Sequence, residues 1–404
     1  MALRESGLAL ASSRAVVWAA GVATALVLGP GRLAANSFNH HHLVTPFHDQ
    51  VANVLAAPAA RWDSVWFLGI AHLGYRQADQ TVFFPLYPGL VAAGGAIFGG
   101  GSAANLIAGA VLSCGCALGA LCLLYRLADL ELGASVARNA VWIYAWLPPA
   151  LFLSAVYTEA LFLLLSVGTF YAARSGRWWV AGALGALAAA TRNGGVLLVL
   201  PLLALYLYGP RADRTPDSPA KGFRPRYRLR PDALWMLAVP LGLVAYLAYL
   251  KLHLGHALTP FQQQSHWHRS FVPLGGIPGG AWLGLKSLVA LVPGVPPGAK
   301  VGDLRKVVEL AFLAICTWLL WRSWRRLPLA YTCYAGIALA LAVSAPTAGE
   351  PLRSLPRFAM VIFPLWVALA LWATERHRTR AVLAVCGPLV ALWAALFVSW
   401  TWAA

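Results

Sequence analysis

Charged side chains are scarce in this 404-residue chain, at 11%, and acidic ones are scarcer still, with only 14 Asp and Glu. A soluble domain carries about 25% charged and about 45–50% apolar residues; here the apolar share is 60%. The shortage excludes an ordinary soluble enzyme and a disordered chain. No Cys-x-x-Cys pair occurs among the six cysteines, Cys114, Cys116, Cys122, Cys316, Cys333 and Cys386. All lie in apolar runs, so they read as small buried hydrophobes rather than metal ligands, redox centres or a disulfide scaffold. No Walker-type or dinucleotide glycine motif is present, so a soluble nucleotide donor has no evident cradle. The ten-residue alternation of a transmembrane barrel is missing as well.

What is present is a series of long apolar blocks, several exceeding the roughly 20 residues that cross a bilayer. In lipid each backbone polar group must be satisfied within its own segment, so the blocks predict helices. The fold class expected is an all-α polytopic membrane protein. Eleven spans are expected, at about 15–28, 102–126, 138–154, 158–173, 178–191, 195–208, 233–252, 304–321, 329–345, 358–374 and 381–402. Arg4 and Arg14 ahead of the first run give it the look of a signal peptide. The many later spans favour an uncleaved first span.

The net charge of +17 invites a nucleic-acid reading. Basic residues that hold cytoplasmic loops in place are the blander explanation, and their distribution decides between the two. The loop 209–231 holds Arg211, Arg214, Lys221, Arg224, Arg226, Arg228 and Arg230. Thin linkers hold Arg322, Arg325 and Arg326, and Arg376, Arg378 and Arg380. Eleven spans with a cytoplasmic N-terminus put all of these on one side. The charge is then a topological label, and no nucleic-acid partner is expected. Counting 83–98 as a further span breaks that agreement, so this Pro- and Gly-interrupted run reads as a short helix at the outer interface. One domain over 1–404 results, with outer loops at 31–101 and 253–303 and a basic cytoplasmic loop at 209–231.

Candidate chemistry gathers on the outer side. Trp66, Ile70 and Leu73 fall at helical spacing, so 64–73 predicts an interfacial amphipathic helix. Asp63 just before it fits a helix N-cap and equally a functional carboxylate. Glu159 opens a span, where the helix dipole or a basic partner would steady it. Arg192 in the turn Thr191-Arg192-Asn193-Gly194-Gly195 offends the charge bias. It fits a snorkelling side chain, a partner for Glu159 or a phosphate ligand. Gln263, His266 and neighbouring Trp267 suit a sugar, with planar hydrogen-bonding groups beside a stacking face. Arg353 and Arg357 have only Glu350 as a nearby acid and suggest an anion site, with Arg61 and Arg192 converging on it. His40, His41, His42 and His48 carry metal-ligand chemistry, but a solvated polar loop explains them better. No metal site is expected.

Several of these residues resemble those of a known family. Arg61-Trp62-Asp63 with Phe67, Ile70-Ala71 and Gly74-Tyr75, then Phe83-Phe84-Pro85 and Pro88, resemble its first luminal loop. Pro148, Ala155, Tyr157 and Glu159-Ala160-Leu161-Phe162 resemble its second block, and Arg192-Asn193-Gly194 its third, one residue shorter. Pro356-Arg357-Phe358 resembles a late Pro-Arg-aromatic element. The family is the mannosyltransferases that add the second mannose in glycosylphosphatidylinositol assembly, with their bacterial relatives. Abundant Ala, Gly, Arg and Trp point to a bacterial member.

The resemblance implies a glycosyltransferase with a GT-C-like bundle. Its partners would be a polyprenyl-phosphate-linked sugar donor, a lipid-linked or glycan acceptor and membrane lipid. The implied location is the plasma membrane, with the site on the extracytoplasmic side. Mannosyl or other hexosyl transfer with inversion needs a carboxylate base, assigned to Asp63, with Glu159 as a second carboxylate or as the positioner of Arg192. Arg192, Arg353 and Arg357 would hold the leaving phosphate, and Arg61 would orient Asp63. Trp62, Asn193, Gln263 and His266 complete the substrate-binding set. No organic cofactor is implied, and the need for a divalent ion is left open. A polytopic lipid transporter or flippase is the competing class, but no internal repeat is evident and the ionisable residues sit at the outer edge.

Overall fold

A computed structural model describes residues 1–29, 42–217, 224–291 and 301–401, with 301–303 as backbone only. The described helices begin with α1 (Ala2–Leu28), α2 (Gln50–Ala56), α3 (Ser64–Leu73), α4 (Leu86–Ile97), α5 (Gly101–Leu132) and α6 (Ala134–Trp146). Next come α7 (Glu159–Arg174), α8 (Trp178–Thr191), α9 (Val199–Tyr208), α10 (Leu241–Leu254), α11 (Thr259–Gln262) and α12 (Gly276–Ala290). The chain ends with α13 (Val301–Arg326), α14 (Leu329–Val343), α15 (Leu355–Met360), α16 (Phe363–Glu375) and α17 (Thr379–Val398). Among the described residues there is no strand, only isolated bridges from Arg269 to Thr347 and from Thr347 to Glu350. This is an all-helical protein with the composition of a membrane protein. Four described helical runs are long and apolar enough to cross a bilayer: Ala2–Leu28, Gly101–Leu132, Pro231–Leu254 and Thr379–Val398.

Two features depart from the sequence reading. First, α1 starts at Ala2, so Arg14 lies inside the helix rather than flanking it. The reason is local chemistry on a neighbouring element. Helix α6 breaks at Leu147, and Pro148 and Pro149 start a 3-10 turn. Neither proline has an N–H to donate to a carbonyl of the preceding turn. Arg14 supplies donors instead, to the carbonyls of Ala145 (3.2 Å) and Ala150 (2.5 Å) and to Ser154 Oγ (3.0 Å).

Second, the segment 253–303, read as an outer loop, contains α12. Gly276, Gly280 and Gly284 recur every four residues along its buried face. A Cβ at Gly280 would lie 2.4 Å from Leu352 Cδ1, and one at Gly284 would lie 2.7 Å from Leu310 Cβ. Small residues at this spacing let helix backbones approach closely. Within 83–98, read as a short helix, α4 covers 12 residues. At 1.5 Å per residue that is about 18 Å, short of the roughly 30 Å hydrocarbon core.

The helices share a polarity that positions the site. Helix α7 begins at Glu159 and ends at Arg174, about 24 Å away along its axis. At its far end Arg174 Nε pairs with Glu131 (2.6 Å), which also accepts from the Tyr331 hydroxyl (3.1 Å). The same far end holds Arg322 and Arg326, both paired to Glu375. The loop 209–231 is built there around Arg211, which is buried against Trp178, Tyr206 and Tyr227 and forks onto Asp213. Lys221 of that loop, and His40 and His41 of the first loop, lie outside the described residues.

Candidate active site

At the other end, the start of α7, the end of α8, the end of α14 and the turn before α15 surround a cavity of about 390 Å³. Its charged lining consists of Asp63, Glu159, Arg192, Arg269, Arg353 and Arg357. That is four guanidiniums against two carboxylates, an excess of two positive charges.

Asp63 stands at the N-cap position of α3, yet its side chain makes no capping hydrogen bond. It faces Arg357 instead, with Oδ2 2.5 Å from Nη1, and remains 26% exposed. The turn that presents it is unusual. Trp62 has φ +55°, a left-handed conformation that an indole side chain rarely adopts. Buried Tyr157 holds this turn. Its hydroxyl donates to the Arg61 carbonyl and accepts from the Asp63 N–H, both at 3.1 Å. Burial drives the Tyr157 pKa well above its usual value, and the Asp63 charge adds to the rise, so the hydroxyl stays protonated to donate. Ser354, at φ +69°, forms a second left-handed turn just before Leu355-Pro356-Arg357. Non-glycine residues in this region persist where surroundings over-determine them, often at functional sites.

Glu159 is 1% exposed at the first position of α7. Its Oε1 accepts from Arg192 Nη1 at 2.9 Å and lies 3.6 Å from Arg357 Nε, while Oε2 is buried without a hydrogen bond. The helix start and the basic partners therefore act together on this carboxylate. Burial opposes the charge of Arg357, but Asp63 and then Glu159 hold it firmly protonated. Arg192 leaves α8 in extended conformation. The turn after it presses against α8, because a Cβ at Gly195 would lie 2.3 Å from the Ala188 carbonyl. Asn193 lines the cavity and accepts the Gly194 N–H at 2.8 Å.

One wall is aromatic. Trp66 stacks on Phe83 (5.8 Å between centroids, 10° between planes), and Trp267 meets both edge-on. Another part of the lining is aliphatic, built from Leu197, Ala338, Leu341, Ala342 and Ala345 among others. Trp62 lines the cavity.

Three sequence assignments need correction in place. Arg61 is fully buried away from the cavity, and its side chain does not orient Asp63. Its guanidinium serves the carbonyls of Ala60 (2.6 Å) and Val398 (3.4 Å) and packs on Trp400; only its carbonyl reaches the Asp63 turn, through Tyr157. Gln263 and His266 do not line the cavity, and His266 faces outward, 3.9 Å from Asp79. Their neighbours Gln264, Trp267 and Arg269 turn inward instead. Arg269 was the residue to find. A further arginine in a segment read as an outer loop, against the charge bias, was its signal, the same signal that marked Arg192. Among the described residues no three His, Cys, Asp or Glu cluster as metal ligands.

Residues 22–205 match the family described as Mannosyltransferase (PIG-V). Over that stretch the chain is similar to this family. Three proteins named GPI alpha-1,6-mannosyltransferase 2 agree: the rat protein is 29% identical over 214 residues, the mouse protein 28% over 219 and the human protein 26% over 227. These alignments cover 50%, 50% and 54% of this chain and 42%, 43% and 45% of the relatives. The chain thus aligns with less than half the length of each. No solved structure matches. The family stretch supplies Asp63, Glu159 and Arg192, whereas Arg269, Arg353 and Arg357 come from beyond it.

Proposed function

We propose that the chain is a membrane mannosyltransferase using a polyprenyl-phosphate-linked mannose and a lipid-linked or glycan acceptor. In this reading it is a single GT-C-like domain of eleven crossings. The cavity opens on the extracytoplasmic face of the plasma membrane, and the loop 209–231 lies in the cytoplasm. The observation that carries the reading is a part-exposed carboxylate, Asp63, set at the edge of a cavity with surplus guanidiniums.

The acceptor hydroxyl attacks the anomeric carbon from the face opposite the phosphate, inverting it. Asp63 takes the hydroxyl proton as general base. The bond from the anomeric carbon to the phosphate oxygen breaks, and polyprenyl phosphate departs. Negative charge grows on that phosphate, where Arg192, Arg353 and Arg357 supply positive charge. The product monoester approaches two negative charges at neutral pH, which the lining's excess matches. The sugar rests by the Trp66–Phe83–Trp267 wall, and the first isoprene units lie along the aliphatic wall. No organic cofactor enters the scheme.

The test supplies purified protein in vesicles with labelled polyprenyl phosphomannose and a lipid extract as acceptor. Label moving to a new lipid or glycan supports the proposal. Movement of the intact donor across the vesicle without transfer contradicts it and indicates a transporter. Transfer from a nucleotide sugar in place of the lipid also contradicts it.

A further inference from the structure

One aromatic ring gathers three of the cavity's arginines. The guanidinium carbons of Arg192, Arg269 and Arg357 lie 5.3, 5.3 and 5.1 Å from the Phe358 ring centre. Like charges held this close repel unless anions sit among them. Carboxylates meet that need for all cavity arginines but one. Arg192 pairs with Glu159 at 2.9 Å, Arg357 with Asp63 at 2.5 Å, and Arg353 lies 3.7 Å from Glu350. Arg269 pairs with no carboxylate among the described residues. Burial and the charges of Arg357, Arg353 and Arg192 pull it down to about 10, against the opposing pull of Asp63. Its backbone is nevertheless fixed. The Arg269 N–H donates to the Gln264 carbonyl at 3.0 Å, and a bridge ties the residue to Thr347. The next turn is stitched to the end of α14 by Val272 N–H to the Ser344 carbonyl and Leu274 N–H to Ser344 Oγ, both 2.9 Å. A rigid loop therefore aims a stacked cation without a carboxylate partner into the cavity.

We propose that Arg269 is the residue that first takes the phosphate of the lipid donor, and that Arg357 joins it only during transfer. This rests on the reading of the cavity as a lipid-phosphate sugar site. In the empty site Asp63 holds Arg357. During transfer the acceptor oxygen bonds to the anomeric carbon, and the electron pair of the broken bond stays on the phosphate. The phosphate gains one negative charge while Asp63, taking the acceptor proton, loses one. The same proton transfer thus releases Arg357 from Asp63 toward the phosphate as charge builds there. Arg269 acts in binding, Arg357 in the chemical step.

The test titrates farnesyl phosphate, and farnesol as the uncharged control, into detergent-solubilised full-length protein by calorimetry. R269Q is expected to weaken farnesyl phosphate binding about tenfold or more, since a hydrogen bond to a charged group is lost, and to leave farnesol binding unchanged. R269Q binding farnesyl phosphate like the wild type overturns the proposal. Wild-type protein that does not distinguish the two probes overturns the underlying reading, and the proposal with it. If R269Q does not fold, R269K decides by kinetics. It keeps the charge but loses the planar fork. A KM for the lipid donor raised at least threefold with kcat unchanged is expected, and an unchanged KM contradicts the proposal. R357K is expected to show the reverse split, a lower kcat at similar KM.

Discussion

Asp63 and Glu159 share Arg357, but their surroundings give them different work. Glu159 is enclosed, and its single hydrogen-bonded oxygen holds Arg192 and lies near Arg357. Breaking such a buried pair leaves charge uncompensated, at a cost of about 3–5 kcal/mol. Glu159→Gln is therefore expected to lower thermal stability and abolish transfer together. Asp63 is a quarter exposed, and Arg357 retains Glu159 if Asp63 is neutralised. Asp63→Asn is expected to lose turnover while melting near the wild type. A melting scan in detergent beside an activity assay separates the two, and an unchanged melt for Glu159→Gln contradicts the assignment. At this scale Asp63, Glu159, Arg192 and Arg357 are legible in the sequence, because charged residues at the ends of apolar runs stand out in a chain with so few of them. Arg61 is misread because adjacency in sequence does not imply a shared direction: Trp62's left-handed backbone stands between it and Asp63. Gln263 and His266 are misread because a tight irregular turn, unlike a helix, has no period that shows which residues face inward.

At the scale of elements, hydrophobic runs predict helices well and their breaks poorly. The helix expected at 64–73 occupies Ser64–Leu73. Helix α12 escapes because glycines and a proline at 275–280 look like loop chemistry in water. In a packed helical pair the same glycines at four-residue spacing permit close contact. Arg14 escapes because its role lies with the carbonyls of Ala145 and Ala150 on either side of Pro148 and Pro149, on an element more than 130 residues away. The turn that Arg14 supports runs on to Tyr157 and Glu159, so this buried cation underpins the site from outside it. Arg14→Met is expected to cost about 2–3 kcal/mol through orphaned carbonyls, read as a lower thermal midpoint. A midpoint equal to the wild type would show that these carbonyls find other donors.

Across the whole molecule, charge is sorted by end. One end gathers the Arg174–Glu131, Arg211–Asp213 and Arg326–Glu375 pairs. The other gathers the cavity, with four arginines and two carboxylates. The net +17 thus includes a surplus of two at the cavity and a larger one in the basic loops, where 209–231 holds seven basic residues against Asp213 and Asp217. The matched stretch 22–205 contributes Asp63, Glu159 and Arg192 to the cavity, and the later part of the chain adds Arg269, Arg353 and Arg357. The central claim is that Asp63 removes the acceptor proton beside that cradle, and turnover by purified Asp63→Asn with labelled polyprenyl phosphomannose tests it most directly. The account predicts a fall of roughly 10²–10⁴-fold, the contribution typical of a general base, in protein that melts near the wild type. Near-normal mannose transfer by that well-folded variant would contradict it.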